Sequence, residues 1–288
     1  YNKGIDFHLK GKFEKAKQCF DDAIKLDPTR FEAYYNLALS YLEKKDWAKA
    51  EEYFVIVTQI NREDSDSYYN LGLISYEKKN FNKAVEYYEK ALSINSSDPD
   101  CLYNKGISHL ANCEYDLAIE CLSEAIKLDN KPIYKMGIAN AYDQKSDRTA
   151  LPNDIKLAID AYKEITVDEP ENQDVLFRLA VCYAKNGSWE DSVYYCERII
   201  KINPSFADAY NQYGLAMYCK GDISEAIKLY SKALSLDKEN PDIYTNLAFA
   251  YEKLDEKEKA TELLNKFLNK FPTNEKTKQI EDHLKSLN

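Results

Sequence analysis

The sequence predicts an all-α fold, a stack of about eight helix pairs, on three observations. First, a tetrapeptide recurs. Tyr35-Asn36-Leu37-Ala38, Tyr69-Asn70-Leu71-Gly72 and Tyr103-Asn104-Lys105-Gly106 each begin 34 residues after the last, and Tyr1-Asn2-Lys3-Gly4 lies one interval upstream. Self-similarity at a fixed period of this size means stacked units, each too small to bury its apolar face alone. Second, each unit carries helical spacing twice. Tyr34, Leu37, Ala38 and Tyr41 follow i, i+3, i+4, i+7, and Trp47, Ala50, Phe54 and Val57 do the same further on. Third, two columns hold only small residues. One contains Gly4, Ala38, Gly72, Gly106, Ala139, Ala180, Gly214 and Ala248; the other contains Ala16, Ala50, Ala84, Ala118, Ala158, Ser192, Ala226 and Ala260. Helix axes approach to about 8 Å only where no bulky side chain stands between them. Phe20, Phe54, Tyr88, Leu122, Tyr162, Tyr230 and Leu264 fill the spaces beside them.

Taken in order, the repeats occupy approximately 1–30, 31–64, 65–98, 99–131, 132–172, 173–206, 207–240 and 241–274. Lys44-Lys45-Asp46 is a polar turn with Asp46 placed to cap the following helix. Gly187-Ser188 and Gly221-Asp222 set a helix-stopping glycine before an N-cap residue, and Glu225 is positioned to complete a capping box. Pro28, Pro170, Pro204 and Pro272 end the second helices. The fifth repeat is longer: Ala139 to Ala158 spans 19 residues where the others use 12, which puts seven extra residues in an Asp143–Asp154 turn. In 275–288 a single apolar stripe, Ile280, Leu284 and Leu287, suits a helix that caps the open core of the last repeat. A chain opening at Tyr1, without Met and in mid-helix, reads as part of something longer.

Composition narrows the function. With 44% apolar and 31% charged residues the chain is that of a folded protein with a well-solvated surface, and no apolar run approaches the roughly 20 residues that span a bilayer. A net charge of −10 without any basic block repels phosphate backbones and anionic membranes, so neither nucleic acid nor membrane is an expected partner. The seven cysteines form no C-x-x-C pair and several fall at packing positions, which favours a reducing compartment and a cytoplasmic location. His8, His109 and His283 are far apart, so no metal is expected, and no other cofactor. No nucleophile–base pairing or phosphate-binding glycine loop stands out from the repeat; the chain reads as a non-enzyme.

The small–aromatic–Ala–Pro pattern at Gly4, Phe7, Ala16, Phe20, Ala23 and Pro28 resembles the tetratricopeptide repeat (TPR) family, and repeats 2, 6 and 8 match nearly as well. The resemblance implies a right-handed α-α superhelix, a TPR solenoid, with first helices lining a concave groove. His109 departs from the pattern where an aromatic is usual, and Tyr76 and Tyr218 fall one residue late.

The face that adjoins the packed one carries two ladders: Asn2, Asn36, Asn70, Asn104 and, after a gap, Asn246; and Tyr1, Tyr35, Tyr69, Tyr103, then Phe177. Side-chain amides both donate and accept, which suits an extended peptide backbone, and tyrosines give stiff contact area with a polar tip. The alternatives are polar filling for Asn and packing between neighbouring helices for Tyr. In some TPR proteins such an Asn ladder holds extended polypeptide, and that is what the resemblance implies here. An acidic column, Glu32, Asp66, Asp100, Asp174, Asp208 and Asp242, either favours the helix dipole or selects neutral or basic ligands. Arg178 alone does not rebuild the cationic clamp by which some family members hold acidic chaperone tails. The expectation is a protein-interaction scaffold that binds a protein or peptide, with oligomeric state open. Two rivals stand beside it: the substrate-presenting region of a larger enzyme such as a glycosyltransferase, and a self-assembling structural subunit.

Overall fold

The computed structural model describes residues 1–287, and among them it contains seventeen α-helices and no strand. They fall into two compact units, Tyr1–Gln144 and Lys145 onward. The N-terminal unit is built from α1 (Asn2–Leu9), α2 (Phe13–Leu26), α3 (Phe31–Glu43), α4 (Trp47–Ile60), α5 (Ser65–Glu77), α6 (Phe81–Ile94), α7 (Pro99–Ala111), α8 (Tyr115–Leu128) and most of α9 (Pro132–Thr149). The C-terminal unit holds the end of α9, then α10 (Pro152–Asp168), α11 (Gln173–Lys185), α12 (Trp189–Ile202), α13 (Ala207–Lys220), α14 (Ile223–Leu236), α15 (Pro241–Lys253), α16 (Lys257–Lys270) and α17 (Thr277–Leu287). Within each unit the helices other than α9 pack chiefly on their neighbours in sequence, as in a solenoid.

Side-chain size sets the spacing. All sixteen small residues are buried. Against Gly72, a Cβ would stand 2.5 Å from the Tyr88 ring, and Tyr88 is itself only 1% exposed. The aromatic of the second helix therefore occupies the room that glycine leaves in the first. Phe20, Phe54, Leu122, Tyr162 and Leu264 are likewise fully enclosed.

Every turn inside a pair contains one left-handed residue. It is Gly at Gly11, Gly187 and Gly221, but Lys45, Lys79, Cys113, Ala150 and Asp255 adopt the same positive φ. Composition alone does not reveal these last five. Asp46 caps α4 by accepting from the Lys49 N–H, and Asp222 caps α14 through the Glu225 N–H. Two turn expectations are corrected. Ser188 makes no cap bond; its hydroxyl accepts from the Asn186 amide. Glu225 completes no capping box, because the Asp222 N–H is already bound to the Met217 carbonyl and the Glu225 carboxylate pairs with Lys228.

The long fifth repeat is also corrected. Its extra residues form helix rather than turn: α9 and α10 run to 18 and 17 residues, against 13 and 14 for α5 and α6, and only Ala150-Leu151 separate them. Continuing a helix satisfies each added peptide group internally, whereas a loop leaves those groups to solvent. Pro152 at the first position of α10 and the Thr149 hydroxyl bonded to Asp154 at 2.7 Å fix the elbow. At the other end, α17 lays Ile280 and Leu284 into the cluster that includes Leu263 and Phe267, with Leu287 partly buried against it. The last residue of the expected cap, Asn288, lies outside the described residues.

Candidate peptide-binding face

The two ladders meet as rungs. Asn36 Nδ2 donates to the Tyr1 hydroxyl at 3.0 Å, and Asn104 Nδ2 donates to the Tyr69 hydroxyl at 3.0 Å. In the middle pair the Asn70 side chain lies beside the Tyr35 hydroxyl and acts to lower its pKa, against the larger raising effect of burial. Each rung therefore joins the first helix of one repeat to the first helix of the next. The same amide nitrogens also donate one turn back along their own helices, to the Glu32, Asp66 and Asp100 carbonyls at 2.7, 2.7 and 2.9 Å. Asn36 and Asn104 are half-buried and Asn70 is buried; Asn2 is exposed.

The tyrosine rings rest on the aromatic layer beneath. Tyr1 packs on Phe20, Tyr35 on Phe54 and Tyr69 on Tyr88, with ring centroids 5.5 to 6.1 Å apart. Tyr103 packs instead on Tyr134 at 5.2 Å. Burial, then the charges of Asp66 and Asp64, pushes the Tyr35 hydroxyl up to about 12. Burial, then Asp100 and Asp98, does the same for Tyr69, also to about 12. Both remain protonated at any working pH.

The acidic column is not uniform. Asp100 receives hydrogen bonds from Tyr134 and from Lys131, which hold its carboxyl below the usual range. Asp242 pairs with Lys276 at 2.6 Å. Asp208 accepts from Asn240 at 2.9 Å, while burial and nearby Asp237 raise its carboxyl. Asp66 is raised by burial and by Asp64 and Asp98. Glu32 and Asp174 are exposed.

In the C-terminal unit the pattern loosens. Asn246 donates to Asn211 at 3.0 Å, a rung with an amide in the tyrosine place. Phe177 packs on Phe206 at 5.7 Å with the rings tilted and has no hydroxyl to offer; Arg178 is exposed. Gln212, midway in the period between Arg178 and Asn246, is 9% exposed and its Nε2 is enclosed without a partner. Asn211 and Gln212 are ladder positions without a Tyr-Asn pair to mark them; the 34-residue period from Thr245 and Asn246 leads back to them. Within this unit a cleft of about 390 Å³ is lined by Thr245, Asn246, Phe249, Lys276, Gln279, Ile280 and His283.

The histidines each meet a carboxylate: His8 lies 3.4 Å from Glu43, His109 2.7 Å from Glu114 and His283 2.9 Å from Glu252. Thus His109, in place of the usual aromatic, ties the end of its helix to the following turn. No group of His, Cys, Asp and Glu fit to hold a metal occurs among the described residues. Among them no helix is long and apolar enough to cross a membrane. The seven cysteines are free.

Comparison with known proteins agrees with the repeat fold. Family models described as TPR repeat or tetratricopeptide repeat match residues 4–45 and 214–255, 65–98 and 99–132, 153–207, and 32–59 and 242–274. Heat shock protein STI1 of Saccharomyces cerevisiae is 33% identical over 103 residues, 35% of this chain and 18% of that protein. BBSome complex member BBS4 of Bos taurus is 29% identical over 121 residues, 42% of this chain and 23% of that protein. The chain thus spans about a fifth of the length of these two relatives. Among solved structures, the C-terminal part of a TPR repeat-containing protein from Cytophaga hutchinsonii superposes with a TM-score of 0.67 at 17% identity, over 85% of this chain and 98% of that one. It shares the all-α solenoid fold. With repeat models matched from residue 4 to residue 274, the chain belongs to the tetratricopeptide repeat family.

Proposed function

We propose that this chain is a protein-interaction scaffold whose N-terminal unit holds an extended, neutral or basic polypeptide segment along its first-helix face. Asn36, Asn70 and Asn104, with Tyr35, Tyr69 and Tyr103, form that face, and the alignment of the rungs is the observation that carries the reading. Membership in a repeat family and a relative described as a complex member support an interaction role. The chain acts by binding, without catalysis or a cofactor, and the free thiols accord with a cytoplasmic location. Asp66, raised by burial and by Asp64 and Asp98 with no cation beside it, disfavours acidic ligands at the middle rung.

The test uses fluorescent, unstructured 15-residue peptides rich in Gly and Ser that carry Lys, no charge, or Glu. The Lys and neutral peptides should bind and the Glu peptide should not, with affinity for the Lys peptide falling as salt rises. Replacing Asn36, Asn70 and Asn104 together by Ala should weaken binding at least about tenfold, since each net hydrogen bond contributes roughly 0.5–1.5 kcal/mol. Unchanged affinity in a variant that melts cooperatively would reject this face as the site.

A further inference from the structure

Each rung leaves a definite remainder. A side-chain amide has two N–H donors and one carbonyl oxygen. In Asn36 and Asn104 the nitrogen serves two acceptors, the neighbouring phenol and the carbonyl one turn back. Their donors are spent, and what these half-buried side chains still offer a ligand is Oδ1, an acceptor. The phenol supplies the opposite polarity. Its oxygen has received the amide hydrogen, and its own hydrogen is still to be given. Asn70 is buried, so in the middle rung Tyr35 is the better-placed partner for a ligand.

We propose that the hydroxyls of Tyr1, Tyr35 and Tyr69 are the hydrogen-bond donors of the peptide-binding face and half-buried Asn36 and Asn104 its acceptors, so that the two outer rungs each match a carbonyl and an N–H of an extended, basic main chain and the middle one a carbonyl. This rests on the reading of the face given above and reassigns its chemistry: the tyrosine tips, not the amides, give hydrogens to the ligand. Charge selects the occupant. Asp66 is crowded by Asp64 and Asp98, and no basic side chain offsets it. At the first rung the charges of Glu32 and Arg30 act on Tyr1 in opposite directions, with Arg30 5.2 Å from the ring centroid, so the crowding is that at Asp66. A segment bearing Lys or Arg relieves that crowding as its backbone meets the rungs; an acidic segment adds to it.

A thermodynamic cycle tests the donor role with the Lys-bearing 15-residue peptide and the same peptide methylated on its backbone nitrogens. Methylation removes the hydrogens that Asn Oδ1 accepts. The double variant Y35F/Y69F removes the phenolic donors and keeps both rings on Phe54 and Tyr88. Binding of the plain peptide should weaken about three- to tenfold per lost bond. The decisive readout is additivity. If the hydroxyls contact the ligand, Y35F/Y69F weakens the methylated peptide by the same factor as the plain one. If they only orient the asparagines, the methylated peptide has already lost that bond and the substitutions change nothing further, which overturns the donor role and leaves the face itself standing. Failure of the plain peptide to bind the unmodified chain overturns both. A melting curve of Y35F/Y69F that stays cooperative confirms that the comparison concerns folded protein.

Discussion

At the residue scale, two positions show how little room the stack allows. Gly72 faces Tyr88 at a distance no Cβ can share, and Tyr88 cannot swing out because it is 1% exposed. Ala at 72 gains about 1 kcal/mol of helix propensity but overpacks the core by about 1–3 kcal/mol. The steric cost should win, and G72A should lower stability by about 1 kcal/mol in denaturant unfolding. Asp100 gives a pH-dependent case. Its hydrogen bonds from Tyr134 and Lys131 depress its carboxyl, so the stability they contribute is present above the ordinary carboxylate range and lost as pH falls through the lowered value. D100N should therefore melt below the unsubstituted chain at pH 7, by no more than about 1 kcal/mol because the carboxyl is partly exposed. The two curves should converge as pH falls below the ordinary Asp value of about 3.9, where the loss begins. A gap that stays constant below that pH would remove the role given to this ionised group.

At the element scale, helix ends and their coverings matter most. The cap α17 buries only Ile280 and Leu284 fully, yet these close the apolar cluster over Leu263 and Phe267. Truncating Leu284 to Ala should cost about 2 kcal/mol, the low end for a core leucine, since the site lies near the surface and can partly collapse. The loss should be local, because solenoid stability is a sum of neighbour terms. Hydrogen exchange should quicken in α15, α16 and α17 and stay unchanged in α3 to α6; faster exchange throughout would contradict that additivity. The lengthened α9 and α10 make a related point. Seven additional residues entered as helical turns, and the Thr149 bond to buried Asp154 fixes the elbow while Pro152 starts the second helix.

At the scale of the whole molecule, the sequence by itself determined the helix pairing, the period and the packed columns. Size is a local property of a side chain, and glycine, alanine or serine at each crossing admits one kind of neighbour. The acidic balance and the Tyr-Asn repeats were equally open to reading, so the positions of the candidate face were legible. Their chemistry was not. Whether Asn36 gives its hydrogens to a ligand or to Tyr1 depends on atoms 35 residues apart in the chain, and only packing of one first helix on the next brings them to 3.0 Å. The same holds for Gln212, whose missing partner follows from Phe177 in a column that tyrosine fills at positions 1, 35, 69 and 103. Hydrogen bonds are directional and short, so tertiary structure alone decided which donors were already spent.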